Sequence, residues 1–338
     1  MRLLVFEFIT GGGFINQPLP ASLLQEGHLM RKALLDDLGC IENLEVLVLQ
    51  DARLDQNDVE LKAAWQTIII SQQMDLQALL SGQVEYDAVY LIAPETDGVL
   101  AFWCQFFNQQ GKKLYTSGQQ AVGLCQDKLA TSTLLQNAGI ACVPTSSYDN
   151  LTGYRHGSWV IKVNDSVGCD QVYFLQTQQD WKCVLPRLQA DKSYIVQPFI
   201  PGKSLSLSCL FYQGQAYFLC CNQQHLVVEQ QQFVLSACTV NIANQNRHKY
   251  HKLCEQIAKA MPQLFGYAGI DFIETDTGEV LILEINPRLT TSYAGIKAAL
   301  GINVAELVLN LPIQAPVLNI SRNQQVHVSI TAENNYAH

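Results

Sequence analysis

Long apolar runs are absent from this sequence of 338 residues. No stretch approaches the roughly 18 uncharged apolar residues that a membrane-spanning helix needs. The N-terminal stretch MRLLVFEFITGGG contains a short apolar run that Glu7 interrupts, whereas a signal peptide needs a longer one. We therefore expect no membrane association and interpret this stretch as a first β-strand.

The cysteines show no spacing typical of a metal or redox motif. There are 11 of them, an odd number, and no two form a C-x-x-C pair. Several lie in apolar segments such as LSLSCLF, which favours buried, reduced thiols in a cytoplasmic protein.

A basic segment and a dinucleotide fingerprint are also missing. The formal net charge is −9 and no basic face is evident, so we expect no nucleic-acid partner. The glycines of GGGF, residues 11–14, do not follow the G-x-G-x-x-G pattern. A nicotinamide-dependent enzyme therefore receives little support.

What is present is enough apolar sequence for a globular protein of two or three domains, with 48% hydrophobic and 15% charged residues. Over residues 1–118, strand signals such as LEVLVLQ and YDAVYLIA alternate with helix signals. One predicted helix, ASLLQEGHLMRKALLDDLG, has Gly39 as its expected C-cap. The alternation predicts an open, parallel α/β domain.

The pattern changes after residue 118. Residues 119–200 carry the predicted helix DKLATSTLLQNAGI and short strands, whereas residues 201–338 carry longer strands. Gln213 and Gly214 are the expected turn of a hairpin, and one closing helix is expected through AGIKAALG and VAELVLN. We therefore place domain boundaries at 1–118, 119–200 and 201–338.

A predicted hairpin around Asp276-Thr277-Gly278 gathers polar side chains on one face. If Thr275 faces Val280, Asp271 lies opposite Glu284, Asn286 returns to the same face, and Leu283 and Ile285 point away. Opposed carboxylates repel unless a cation lies between them, and oxygen ligands suit Mg²⁺ or Mn²⁺. The sequence therefore predicts a metal site, with a solvated hairpin face as the alternative.

The segment GIDFIETDTGEVLILEINPRLTTS resembles the metal hairpin of the ATP-grasp superfamily, an acid followed at a distance by Glu-x-Asn-Pro-Arg. Three further segments resemble this superfamily in the expected order. Lys128 and Lys162 resemble the two phosphate-binding lysines, and YIVQPFIPGKSLSLS resembles the strand that holds adenine. The resemblance covers about residues 119–310 and implies an N-terminal α/β domain followed by two subdomains that clasp ATP.

The resemblance also implies the functional residues. Asp271, Glu284 and Asn286 would hold Mg²⁺ or Mn²⁺, and Arg288 and Lys162 would act in catalysis. The residues implied to contact ATP are Lys128, Lys162, Gly168, Gln197, Phe199, Ile200 and Ser204. The phosphate loop NDSVGCDQV has one glycine where many relatives have more, so Cys169 crowds or reshapes it. No acid for the ribose hydroxyls is obvious beside Lys203, Ser204 and Ser206.

Within the superfamily, FEFITGGG, SLSCLFYQGQAYFLCCNQQ and EINPRLTTSYAGI look most similar to the tyramine–glutamate ligases of methanofuran synthesis and their methylofuran-linked relatives. This implies an ATP-dependent ligase that phosphorylates a glutamate carboxylate and joins it to the amine of tyramine or tyrosine. The alternatives are a ligase for another amino acid or peptide and a non-enzymatic ATP-binding protein. The α or γ linkage stays open, and a homodimer is possible.

Four substrate contacts are expected besides Arg288. Glu7 precedes the glycines at the end of the first strand, where it would hold a substrate ammonium and Gly12 would let the backbone approach a ligand. A structural pairing of Glu7 with Arg31 or Arg53 is equally open. Asn222 and Gln224 alternate on a strand and would line the cleft, with cross-strand pairing as the alternative. The candidates for aromatic selectivity are Phe14, Tyr154 and Tyr293.

Overall fold

The computed structural model describes residues 1–54, 65–148, 155–168, 171–243 and 246–330. Its N-terminal sheet consists of the strands β1 Arg2–Glu7, β2 Glu45–Asp51, β3 Gln66–Ile70, β4 Ala88–Ile92 and β5 Lys113–Leu114. The strands are all parallel and lie in the order β3-β2-β1-β4-β5. The central strands β1 and β4 are almost wholly buried, as expected where helices cover both faces of a parallel sheet.

A larger antiparallel sheet follows. Its strands are β6 Ser146–Tyr148, β7 Trp159–Val163, β8 Val172–Leu175, β9 Tyr194–Pro198, β10 Lys203–Tyr212, β11 Gln215–Glu229, β12 Gln232–Val240, β13 Gly266–Glu274, β14 Val280–Asn286 and β15 Val326–Ser329. The order is β14-β13-β10-β11-β12-β8-β7-β9-β6, with β15 paired to β12. The long strands β10 to β14 and the short strands β6 to β9 therefore meet where β12 pairs with β8.

The helices of the described residues cover these sheets. They are α1 Ala21–Leu38, α2 Leu76–Ala78, α3 Val99–Gln109, α4 Gln119–Gln126, α5 Lys128–Asn137, α6 Gln178–Val184, α7 Arg247–Ala260, α8 Tyr293–Leu300 and α9 Val304–Asn310. Single turns of 3₁₀ or π helix lie at Leu79–Gln83, Thr96–Gly98 and Leu185–Arg187. No helix among the described residues is long and apolar enough to cross a membrane.

The N-terminal domain packs directly on the C-terminal helices, because α1 contacts both α8 and α9. One buried apolar cluster accordingly runs from Leu3 and Tyr90 of the parallel sheet to Tyr293 and Ile296 of α8. Tyr293 donates a hydrogen bond of 2.6 Å to Asp37 at the end of α1. These contacts bring the carboxyl ends of β1 and β4 towards the end of the β13–β14 hairpin.

The predicted α/β class is confirmed, and several local predictions can now be judged. Gln213 and Gly214 have φ angles of 48° and 74°, the left-handed pair that a two-residue hairpin turn needs. The single closing helix is wrong: Gly301, at φ 67°, ends α8, and α9 begins at Val304. Gly39 caps α1 with a right-handed φ of −61° and not in the left-handed conformation that glycine C-caps usually adopt.

Candidate active site

The β13–β14 hairpin brings the predicted acids together through a register shift. Glu274 lies opposite Val280, so the predicted pairing of Thr275 with Val280 is wrong by one residue. A bulge at Leu283 adds one residue to β14, and Asp271 is therefore opposite Glu284 as predicted. Because of the bulge, Leu283 lines a large cavity beside Glu284, which is described below. The prediction that Leu283 points away from the face of Asp271 and Glu284 is therefore also wrong.

Asn286 completes this group, since its Nδ2 donates a hydrogen bond of 3.2 Å to Asp271 Oδ2. Two lysines from earlier in the chain approach the same group. Lys162 Nζ, on β7, lies 3.3 Å from Glu284 Oε2, and Lys128 Nζ, at the start of α5, lies 3.7 Å from the same oxygen. Lys128, Lys162 and the hairpin acids therefore converge as the motifs predicted.

The position of Lys128 follows from the way in which α5 begins. Asp127 is the N-cap of this helix and accepts a hydrogen bond from Ala130 N. Asn164, after β7, donates to Asp127 and accepts from Leu129 N, which fixes the helix start against the lysine strand. Lys128 Nζ then donates to the carbonyl of Ser166 at 2.6 Å, in the loop that leads to Gly168.

The protonation of these groups reflects burial and their mutual charges. Burial lowers the pKa of Lys128, and the charge of Glu284 partly offsets this. Burial alone would raise the pKa of Glu284, but the nearby charges of Lys162 and Lys128 hold it below its usual value. Burial and the Glu284 charge raise the pKa of Asp271 to about 7. Asp271 is therefore the carboxylate that lacks a positive partner.

A cavity of ≈ 640 Å³ opens beside the lysines and has an apolar far end. Phe199 lines it, and its ring lies 4.6 Å from Phe174 and stacks at 6.5 Å on Phe233. Of the predicted ATP contacts, Lys128, Lys162, Gln197, Phe199, Ile200 and Ser204 all line this cavity. Gly168, with a φ of 62°, lines two smaller cavities, one of which shares Gln224, Asp271 and Glu284 with the large cavity.

Arg288 lies at the junction of these smaller cavities. Its Nε donates a hydrogen bond of 2.7 Å to Glu95 Oε2, and its Nη1 donates to the carbonyl of Leu289. Glu95 and Glu26 both belong to this site and were not predicted. Glu95 follows β4 at the carboxyl edge of the parallel sheet. Ligands of such sheets bind at this edge, so the sequence could have indicated Glu95 as a site residue. Glu26 lies on α1, and the sequence carries no signal that it faces the site.

The predicted substrate residues divide into two groups. Gln224 lines the large cavity and accepts a hydrogen bond of 2.8 Å from Ser204. Glu7 lines a small cavity together with Arg288, and it is nearly fully buried. Glu7 accepts hydrogen bonds from Ile9 N and Thr10 N, and the charge of Arg31 partly offsets the rise that burial causes in the pKa of Glu7. Arg53 pairs with Asp51 and not with Glu7.

Asn222 and Gly12 do not line any of the cavities described here. Asn222 is fully buried and donates to Ser206 and Ser208 on the neighbouring strand, so cross-strand pairing describes its contacts. Gly12 has a φ of 92°, and a Cβ there would lie 2.6 Å from Ile70, which explains the glycine without a ligand.

The aromatic candidates likewise lie apart from these cavities where the structure describes them. Phe14 packs on Phe8 at 5.2 Å, and Tyr293 lies in the core between α1 and α8. Tyr154, like Cys169 of the phosphate loop, lies outside the described residues.

The hairpin residues fit a divalent cation. No group of three or more His, Cys, Asp or Glu residues suited to a metal occurs in the described part of the chain. Asp271, Glu284 and Asn286 instead supply two opposed carboxylates and one amide, a small all-oxygen set of the kind that Mg²⁺ completes with water and phosphate oxygens. A cation between the two carboxylates would offset the Glu284 charge, which together with burial raises the pKa of Asp271.

Two family models match the chain in this order: the pre ATP-grasp 3 domain over residues 44–122 and an ATP-grasp domain over residues 125–292. The tyramine–L-glutamate ligase of Methanocaldococcus fervens is 26% identical over 298 residues, 87% of this chain and 89% of that protein. Its counterpart from Methanocaldococcus jannaschii is 24% identical, over 91% of this chain and 88% of that protein.

Solved structures agree on the fold. An ATP-grasp superfamily protein from Archaeoglobus fulgidus superposes with a TM-score of 0.69 at 20% identity, over 97% of this chain and 92% of that one. The L-amino acid ligase from Bacillus licheniformis superposes with a TM-score of 0.68 at 14% identity, over 96% of this chain and 78% of that one.

The chain belongs to the ATP-grasp family. The prediction of an ATP-dependent carboxylate–amine ligase that is similar to the tyramine–glutamate ligases is confirmed. Its substrates are therefore small molecules.

Proposed function

We propose that this protein activates a carboxylate of glutamate as an acyl phosphate and joins it to the amine of tyramine or tyrosine. The observation that carries this proposal is the convergence of Lys128 and Lys162 on Glu284, opposite Asp271, at the inner end of a cavity large enough for a nucleotide. The similarity to two tyramine–L-glutamate ligases over nearly the whole chain supports the choice of substrates.

The chemistry explains why ATP is needed. A carboxylate is a poor electrophile, so its oxygen first forms a bond to the γ-phosphorus of ATP while the bond to the β-phosphate oxygen breaks and ADP leaves. The amine nitrogen then attacks the carbonyl carbon, inorganic phosphate leaves, and the nitrogen loses a proton. The first step depends mostly on positioning and on charge neutralisation.

The proposed roles follow from the charges at the site. Lys128 and Lys162 are buried ammonium groups that would neutralise the phosphate oxygens, each contributing about 3 kcal/mol if it acts like other preorganised electrostatic groups. Asp271, Glu284 and Asn286 would hold Mg²⁺, or Mn²⁺ in its place. The bound metal would supply further positive charge to the phosphates, and Arg288 would stabilise charge on the acyl phosphate.

The large cavity provides the nucleotide site of this proposal. Gln197, Phe199 and Ile200 would contact adenine at its apolar end, Ser204 would contact the ribose, and Gly168 would give the phosphates access to the loop backbone. Gln224, at the boundary of this cavity with the next, would contact the acid substrate. Glu7 would contact an ammonium group, and roles for Gly12 and Asn222 stay predictions.

The pathway in which the protein acts is also part of the proposal. A role in methanofuran- or methylofuran-type cofactor synthesis is proposed from the resemblance of the sequence motifs to the tyramine–glutamate ligases of those pathways. The cytoplasmic location, the domain boundaries and the homodimer stay predictions.

The test is ADP release from ATP, Mg²⁺ and glutamate with a panel of amines: tyramine, tyrosine, lysine, D-alanine and none. We expect release that depends on tyramine or tyrosine, together with the corresponding amide in the mass spectrum. Release with another amine only would contradict the proposed substrates. Tight ATP binding without release, also with acids other than glutamate, would favour a nucleotide-binding protein without ligase activity.

A further inference from the structure

The two small cavities beside Arg288 share one wall. The cavity of ≈ 40 Å³ is lined by Glu7 from β1 and by α1, and the cavity of ≈ 80 Å³ is lined by the hairpin residues Asp271 and Glu284. Glu26, Gly168 and Arg288 line both of them. A path therefore leads from the metal hairpin past Arg288 to Glu26.

This path carries more negative than positive charge. Arg288 is the one positively charged side chain that lines either cavity among the described residues, and Glu95 already pairs with it at 2.7 Å. The other oxygen of Glu95 is buried and has no hydrogen-bond partner within the described part of the chain. The charge of Arg288 also acts on Glu26, and the charge of the buried Arg31 of α1 acts on Glu7, so Glu7, Glu26 and Glu95 together share two arginines.

The structure holds Glu26 in place as a ligand-facing group. Its Oε2 accepts a hydrogen bond of 2.7 Å from Thr291 Oγ1. Its Oε1 faces Gly168, where a Cβ would approach it to 3.3 Å. The side chain stays partly accessible from the cavities, although burial raises the pKa of its carboxyl group.

Glu7 lies against the next position of α1 and lines the same small cavity as Glu26. Hydrogen bonds of 2.6 Å from Thr10 N and Thr10 Oγ1 fix its Oε2. Gly27 of α1 lies so close that a Cβ there would meet the carboxylate at 2.8 Å. Neighbouring positions of one helix thus provide Glu26 and leave room for Glu7.

We propose that Glu26, supported by Glu7, binds the primary ammonium group of a substrate that reacts near Arg288. This inference rests on the proposed function, and it adds that a substrate enters the site as a cation-bearing molecule. An ammonium group donates up to three hydrogen bonds and neutralises the surplus charge. Two sources supply this chemistry: the α-ammonium of glutamate and the ammonium of tyramine before its deprotonation.

The experiment measures binding by calorimetry in the presence of ADP and Mg²⁺, so it does not depend on turnover. L-glutamate is compared with glutarate, which lacks the amine, and tyramine is compared with its alcohol analogue tyrosol. The variant is Glu26→Gln, and Glu255→Gln is the matched control, an exposed residue of α7 that lines none of these cavities. Thermal unfolding checks that each variant is folded.

We expect Glu26→Gln to weaken one amine-bearing ligand about 10- to 100-fold, the loss of one charge-assisted hydrogen bond, while its nitrogen-free analogue is unaffected. The ligand that is weakened identifies the source of the ammonium. Thr291→Val removes the hydrogen bond to Glu26 without changing the charge, and a smaller loss for the same ligand is expected.

Equal effects on a ligand and its nitrogen-free analogue, or no effect of Glu26→Gln, would overturn the proposal. So would a failure of the unmodified protein to bind either amine-bearing ligand. ADP release with the amine panel is measured separately. Selective loss of ammonium binding without any ligase activity would therefore overturn the proposed function and leave the ammonium site standing.

Discussion

Single residues determine the electrostatics of this site. Glu284 lies within ion-pair distance of both Lys162 and Lys128, whereas Asp271, directly opposite, has amide partners only. The lysines hold the pKa of Glu284 below its usual value, whereas burial and the Glu284 charge raise the pKa of Asp271 to about 7. This asymmetry indicates how the protein keeps two opposed acids in a buried hairpin.

The first prediction removes the charge of Glu284 and keeps its shape. We expect Glu284→Gln to lower metal-dependent ADP formation by about 100-fold or more, because the metal loses a carboxylate ligand and the lysines lose their shared partner. The matched control is Glu279→Gln in the exposed turn of the same hairpin. Full activity of a folded Glu284→Gln protein would disprove the metal assignment.

The second prediction concerns pH. Burial and the Glu284 charge raise the pKa of Asp271 to about 7, so the metal-free protein carries a proton there at lower pH. A metal must displace this proton, and its affinity should therefore fall as the pH falls below that value. Calorimetry of Mn²⁺ binding in buffers of different ionisation enthalpy should show proton release at about pH 6 and almost none at about pH 8.5. Equal proton release at both values would contradict the assignment.

At the scale of elements, a bulge and a helix glycine adapt regular structure to the site. The extra residue Leu283 brings Glu284 opposite Asp271 although the hairpin turn starts in another register. Gly27 lets α1 approach Glu7 at a distance that no side chain would allow. Regular strands and helices thus carry the functional side chains, and the bulge and the helix glycine determine where the carboxylates of Glu284 and Glu7 lie.

The third prediction tests the role of Gly27 in α1. Gly27→Ala should displace the Glu7 carboxylate and raise the KM of the ammonium-bearing substrate, although alanine favours a helix. The matched control is Gly123→Ala in α4, where a Cβ meets nothing within 4 Å. That control should gain up to about 1 kcal/mol of unfolding free energy and keep its KM. Identical behaviour of the two variants in steady-state kinetics would argue against a role for the Glu7 position.

Much of this site could be predicted from sequence, and the remainder shows where such reasoning ends. Asp271, Glu284 and Asn286 lie on two adjacent strands, so their alternation was enough to group them, even with a wrong register at the turn. Glu26 and Glu95 reach Arg288 only through the packing of α1 and the parallel sheet on the hairpin, which no local pattern records. Asn222 shares the alternation of Gln224, but it lies deeper, where Ser208 contacts Ser292.

On the scale of the whole molecule, the N-terminal domain completes a site that the antiparallel sheet only begins. Glu7, Glu26 and Glu95 come from the first hundred residues, and Arg288 and Thr291 come from the end of the metal hairpin. The packing of α1 on α8 and α9 holds these parts together. Contacts between these helices should therefore matter for stability more than for selectivity.

The fourth prediction tests this distinction at Tyr293. Tyr293→Phe removes the hydrogen bond to Asp37, whose pKa burial already raises, and should cost about 1 to 3 kcal/mol of unfolding free energy. Denaturant unfolding measures this cost, with Tyr212→Phe at the half-buried end of β10 as the control. The preference among amines should not change. A shift in amine preference without a loss of stability would place Tyr293 in the substrate site after all.

The most direct test of the central claim follows the oxygen atoms. Glutamate labelled with oxygen-18 in its carboxylates is incubated with the protein, ATP, Mg²⁺ and the amine that supports ADP release, and the phosphate is analysed by mass spectrometry. Activation as an acyl phosphate predicts one oxygen-18 atom in each phosphate released, because the carboxylate oxygen leaves with phosphorus. Unlabelled phosphate alongside amide formation would contradict this account of the site.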